Sequence, residues 1–187
     1  MNICFFGASS DDIAASYMQA TEGLGRLLGG QGYDLVYGGG RHGLMGAFAR
    51  GLKSQGGRVT SVYPPLFDKP GIIFEATDIH IVTADLASRK QKMEQLADAY
   101  VIAPGSVGTF DELFDIYAQK KLGYTAKPIA LFNIDGFYDG LMAFLASTAA
   151  AGFMEESCLG MVSCQSAPQG VADYLAAGLG RGGETDC

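Results

Sequence analysis

Short apolar runs rich in β-branched and aromatic residues alternate with longer stretches of helical period along the whole chain. The runs fall at Ile3–Phe6, Asp34–Tyr37, Arg58–Val62, Ile79–Val82, Ala99–Ala103, Pro128–Phe132 and Leu159–Val162. Several are continuously apolar rather than alternating, as strands covered by helices on both faces must be. Between them, Asp12–Leu28, Leu44–Gln55, Leu86–Ala97, Phe110–Lys120, Phe137–Ala151 and Pro168–Ala177 predict helices. This order predicts an α/β fold: a Rossmann-like, doubly wound parallel sheet in three α/β/α layers with right-handed crossovers. One segment breaks the alternation. Tyr63–Ala76 carries three prolines and no helical period, and reads as a loop beside the site or a partner-facing flap. With no repeat and no linker, residues 1–177 are expected to form a single nucleotide-binding domain. Residues 178–187, rich in glycine and charge, are expected to form a flexible tail.

Composition narrows the function. The 187 residues suffice for one buried core, and 48% hydrophobic against 18% charged residues argues for a globular chain. A formal net charge of −7 disfavours nucleic acid as a partner and forces any phosphate site to rely on local donors. Cys4, Cys158, Cys164 and Cys187 form no CxxC pair, and no run is long and apolar enough to span a bilayer. A cytoplasmic setting without membrane contact is the expectation.

Ligands of an open parallel sheet lie outside the carboxyl ends of its strands. Three turns there are glycine-rich: Gly7–Asp11, Gly38–Gly46 and Pro104–Glu112. Glycines let backbone approach a ligand, and free N–H groups at a helix start favour an anion. The first turn lacks the G-x-G-x-x-G spacing and no acidic residue ends the second strand to take a ribose, so NAD is not expected, and no G-x-x-x-x-G-K-[ST] occurs. Ser9-Ser10 lacks the G-x-S-x-G elbow of serine hydrolases. His42 and His80 belong to no spaced ligand cluster, so no metal is expected.

Two charged positions admit two readings each. Arg89 and Lys90 crowd the start of a predicted helix, against its macrodipole. They serve either as a solvated face or as cations held there for an anionic ligand. Glu112 closes the pattern Thr109-Phe110-Asp111-Glu112. It is either the last member of a T-x-x-E capping box or a functional carboxylate.

Together, Tyr37–Gly46, Arg89-Lys90 and Pro104–Glu112 resemble the LOG family of cytokinin riboside 5′-monophosphate phosphoribohydrolases, long labelled lysine decarboxylase-like. The family hallmark is P-G-G-x-G-T-x-x-E preceded by an R-K pair, and the likeness runs from about Ile3 to Met154. The resemblance implies hydrolysis of the N-glycosidic bond of a purine nucleoside 5′-monophosphate, without a cofactor, in a homodimer whose interface lies near the R-K helix. It casts Arg89 and Glu112 as the catalytic pair. Gly105, Gly108 and Thr109 would cradle the phosphate with Gly39, Gly40 and Gly43. Met45, Ser88, Lys90, Ser106, Val107 and Asp111 belong to the same substrate-binding set. The chain departs from the hallmark at Ser106, which stands for the second glycine, and at Leu86-Ala87-Ser88, which replaces M-H-x. The alternative from another class is a non-catalytic nucleotide or molybdenum-cofactor carrier of the same fold.

Overall fold

The computed structural model describes residues 1–180. Seven strands form one parallel sheet: β1 (Asn2–Phe6), β2 (Asp34–Tyr37), β3 (Val59–Tyr63), β4 (Ile79–Val82), β5 (Ala99–Ile102), β6 (Ile129–Phe132) and β7 (Ser163–Gln165). They lie in the order β4-β3-β2-β1-β5-β6-β7. In register, Ile3 faces Leu35 on one side and Ala99 on the other. Helices α1 (Ala15–Gly30), α2 (Gly43–Lys53), α3 (Leu86–Leu96), α4 (Val107–Lys121), α5 (Asp139–Ala150) and α6 (Pro168–Gly180) cover both faces.

The two-residue period of a strand splits the core. Ile3 and Phe5 of β1 join Ala99 and Val101 of β5 under α1, α2 and α6. Cys4 and Phe6 join Tyr100 and Ile102 under α3, α4 and α5. Burial on both faces is why these strands read as unbroken apolar runs. On the first face Phe5 stacks on Phe48 with ring centroids 4.2 Å apart. There α1 and α2 touch backbone to backbone. A Cβ on Gly25 would press into the Phe48 carbonyl oxygen, and one on Gly29 would lie 2.6 Å from that of Leu52.

Several expected boundaries move. Leu159–Val162 is not a strand. Glu156–Met161 coils into a 3-10 turn whose apolar side chains pack beneath α4 and α5. The half-buried Ser163–Gln165 instead pairs with Ala130–Phe132 as the edge strand. Helix α1 starts at Ala15 rather than Asp12, which leaves the turn after β1 open. Helix α4 starts at Val107 rather than Phe110. Residues 178–180, expected in the tail, complete α6, where Gly178 packs against Pro128. The remainder of the expected tail, 181–187, lies outside the described residues. Tyr63–Ala76 holds a 3-10 turn at Pro65–Phe67 and a bridge from Ile73 to Gly40.

Candidate active site

Strand order reverses on either side of β1, so crossovers leave the sheet in opposite directions and a crevice opens above β1 and β5. A cleft of about 400 Å³ lies there. The turn after β1 contributes Gly7, Ala8 and Ser9, and the turn after β2 contributes Gly38, Gly40, Arg41, His42 and Met45. Phe67 and Ile72 close it from the segment after β3. Arg89 enters from α3, and Ser106, Gly108, Thr109 and Glu112 from α4.

Backbone contacts bring these turns together. Ala8 N–H donates to Pro104 O at 2.9 Å, and Leu44 N–H donates to Ala8 O at 2.8 Å. Gly43 sits at φ +59, and a Cβ there would run into the backbone of Ala8–Ser10, so only glycine permits this approach. Beneath the third turn, the fully buried Tyr138 donates its hydroxyl to Ala103 O at 2.8 Å.

Arg89 and Glu112 meet in the cleft. Arg89 Nη2 lies 3.8 Å from Glu112 Oε1, and the two side chains keep only 14% and 15% of their exposure. Arg89 Nε donates to Val62 O at 3.2 Å, and its guanidinium lies 5.9 Å from the centroid of the Phe67 ring. Gly38 makes room for it, because a Cβ at that position would overlap Nη2. Burial pushes the Glu112 carboxyl up to about 7, and Arg89 opposes this only in part. A desolvated carboxyl titrating near neutrality is the form that acid–base chemistry requires.

The capping-box reading of Glu112 fails. Ser106 is the N-cap of α4, Thr109 already lies inside the first turn, and no side chain caps the helix. Thr109 packs instead against Gly105, where a Cβ would collide with its hydroxyl. The N–H groups that open α4 therefore have no side-chain acceptor and border the cleft. The capping box that does exist belongs to α3. Asp85 accepts from Ser88 N–H at 2.8 Å, while Ser88 Oγ lies 3.1 Å from Asp85 N. It offsets part of the charge mismatch at that end.

The expected substrate-binding set thus divides. Gly40, Met45, Ser106, Gly108 and Thr109 line the cleft with Arg89 and Glu112. Gly105 borders an adjoining cavity, and Gly39 and Gly43 shape the second turn from behind. Ser88 is engaged by Asp85. Lys90 turns to the outer surface, 3.0 Å from both Asp111 and Asp115, beside exposed Val107.

Absent from the expected set are Arg41, His42, Phe67 and Ile72. Gly43 N–H and then His42 hold the Asp11 carboxyl below the usual carboxylate range. His42 Nδ1 lies 2.5 Å from Asp11 and its Nε2 lies 3.2 Å from Gly71 O. Arg41 pairs with Glu75. These links tie the proline-containing segment to the second glycine turn, so the segment read as a loop beside the site forms one wall of it. The signal for it was the three prolines without helical period.

A family profile described as "Possible lysine decarboxylase" matches residues 45–175. The chain is 37% identical over 155 residues to the probable cytokinin riboside 5′-monophosphate phosphoribohydrolase LOGL9 of Oryza sativa subsp. japonica, covering 83% of this chain and 68% of that one. It is 35% identical over 168 residues to the cytokinin riboside 5′-monophosphate phosphoribohydrolase LOG2 of Arabidopsis thaliana, covering 89% and 79%. Among solved structures, the Moco carrier protein of Chlamydomonas reinhardtii superposes with a TM-score of 0.74 at 24% identity, over 96% of this chain and 98% of that one. The molybdenum cofactor binding protein of Rippkaea orientalis gives 0.72 at 20%, over 94% and 95%. At those identities the two carriers speak for the fold alone. The profile match and the identity to curated relatives establish that this chain belongs to the LOG family, the possible lysine decarboxylases.

Proposed function

We propose that the chain hydrolyses the N-glycosidic bond of a purine nucleoside 5′-monophosphate, releasing the free base and ribose 5-phosphate. The observation that carries this reading is the buried Arg89–Glu112 pair, 3.8 Å apart, in the cleft bordered by the uncapped start of α4. The 5′-phosphate sits on the N–H groups of the Ser106–Thr109 turn, where the helix dipole favours an anion. The ribose then lies against Arg89 and Glu112. As the C1′–N bond breaks, its electron pair leaves with the base and positive charge grows on C1′. Ionised Glu112 stabilises that charge and takes a proton from the water that adds to C1′, and that proton passes on to the departing base nitrogen, which restores the carboxylate. Arg89 binds the ribose 5-phosphate portion and favours the ionised carboxylate.

The decarboxylase label receives no support from the cleft. Pyridoxal phosphate chemistry needs a Schiff-base lysine, and no lysine lines this cavity. An adenine nucleotide, with or without an apolar N6 substituent, fits the cytokinin riboside 5′-monophosphate activity of the relatives. Exposed Leu86, Val107 and Phe114 on and beside the outer faces of α3 and α4 support a homodimer, which sedimentation reads directly. Unpaired Cys4, Cys158 and Cys164 suit the reducing cytoplasm, and no helix of the described residues is long and apolar enough to cross a membrane.

The test is a product assay with AMP, GMP and isopentenyladenosine monophosphate. Ribose 5-phosphate appears with the wild type and is lost with Glu112→Gln. Tight binding of a nucleotide with no release by the wild type would overturn the enzyme in favour of a carrier.

A further inference from the structure

The cleft continues past Ala8 and Ser9. A second cavity of about 430 Å³ adjoins the first, of about 400 Å³, and shares Ala8, Ser9 and Ser106 with it. The first lobe is walled by the turn after β2, the segment after β3, and α3. The second reaches the other way, between the start of α1 and the segment after β6. Tyr17, Leu44, Pro104 and Phe137 give it apolar and aromatic walls, and Ser10 and Asp12 add polar groups. Ser16 Oγ donates to Asp135 Oδ2 at 3.1 Å, tying α1 to that segment. Asp135 holds a left-handed backbone at φ 51. The segment is therefore linked to α1 beside the lobe.

Two lobes of nearly equal size flank the reversal of strand order, which is the place where doubly wound sheets hold two-headed nucleotides. Ser106 stands at the junction. Its side chain caps no helix, and its hydroxyl has no protein partner among the described residues. The glycine of the family hallmark would leave no donor there. We propose that the paired lobes bind a dinucleotide-type ligand, two nucleosides joined through their 5′ carbons by a pyrophosphate. One phosphoryl group occupies the seat at α4 that the proposed function assigns, on which this inference rests. The second meets Ser9 and the Ser106 hydroxyl. The distal nucleoside stacks its base on Tyr17 and Phe137 and offers its ribose hydroxyls to Asp12, a carboxylate suited to accept them. The lack of G-x-G-x-x-G in the turn after β1 does not oppose this, because there the fingerprint serves a pyrophosphate seated on the first helix, whereas the seat here is α4.

The experiment is a calorimetric titration of the full chain with AMP and with diadenosine 5′,5‴-diphosphate, in a Glu112→Gln background so that neither is consumed. The diphosphate is expected to bind about tenfold tighter or more, the gain from filling a second apolar lobe. Ala14→Trp, at an exposed position of the second lobe, brings the ratio of the two affinities to about one, and Ser106→Gly lowers it. A circular-dichroism melt of the Glu112→Gln chain shows beforehand that it is folded. Equal affinity for the two ligands, or a ratio that survives Ala14→Trp, overturns the inference. Failure of the hydrolase reading looks different: the wild type releases no ribose 5-phosphate from AMP while the affinity ratio persists.

Discussion

Replacing Glu112 by Gln separates a functional carboxylate from a structural one, and pH gives the separation a sign. The folded chain holds this proton up to about 7, against an ordinary 4.5. Between those values the unfolded chain has released a proton that the folded chain keeps, so stability falls as pH rises through the window. At roughly 1.4 kcal/mol per pH unit, the full displacement costs the wild type about 3 kcal/mol above pH 7 and nothing below 4.5. Glutamine keeps the shape and cannot ionise. Urea unfolding of both proteins at pH 5 and pH 8 should therefore show the variant gaining up to about 3 kcal/mol at pH 8 and little at pH 5. The product assay should show it inactive. A carboxylate retained for stability behaves in the opposite way, its loss costing about 1 kcal/mol as a cap does. A variant that is less stable at pH 8, or whose difference from wild type does not change with pH, refutes the reasoning.

Gly38→Ala pushes a Cβ into Arg89 Nη2, the movable end of a long side chain. Unfolding should change little, while turnover falls about tenfold or more as the guanidinium is displaced. Gly25→Ala meets the Phe48 carbonyl, which is backbone; urea unfolding should register a loss of about 1–3 kcal/mol, with the KM for AMP near wild type. Arg89→Ala removes the cation that lowers the Glu112 carboxyl, so the acid limb of residual kcat/KM should move to higher pH. A limb that moves to lower pH would contradict the pairing.

The parallel sheet was legible because burial on both faces leaves its signature in single residues: six of the seven strands coincide with apolar runs to within one residue at either end. The seventh was misplaced because hydrophobicity was taken for pairing. Leu159–Val162 is apolar since it packs beneath α4 and α5, whereas the edge strand beyond it is only half-buried and carries Ser163 and Gln165. Thr109 and Glu112 matched a capping box by spacing alone. Spacing does not reveal where the helix begins, and here it begins with Ser106 as N-cap, without a capping side chain. The contact of His42 with Asp11 joins residues 31 positions apart on two turns, so only the folded sheet brings it into view.

Helical geometry gives the Arg89-Lys90 pair a division of labour. Adjacent helix residues diverge by about 100°, so turning Arg89 into the cleft sends Lys90 outward. The same step on α4 buries Glu112 and exposes Asp111. Ion pairs therefore span α3 and α4 on both sides, one inside and two outside. The outer two are close, with Lys90 3.0 Å from Asp111 and from Asp115. The inner one stops at 3.8 Å, its arginine also hydrogen-bonded to Val62 O. Had Arg89 closed fully on Glu112, charge pairing would have driven the carboxyl down and fixed it as a structural salt bridge. Held at the longer distance, burial outweighs attraction and the carboxyl titrates near neutrality. The outer contacts bridge the two helices at the surface, and under the proposed function the inner carboxyl is the one that transfers a proton.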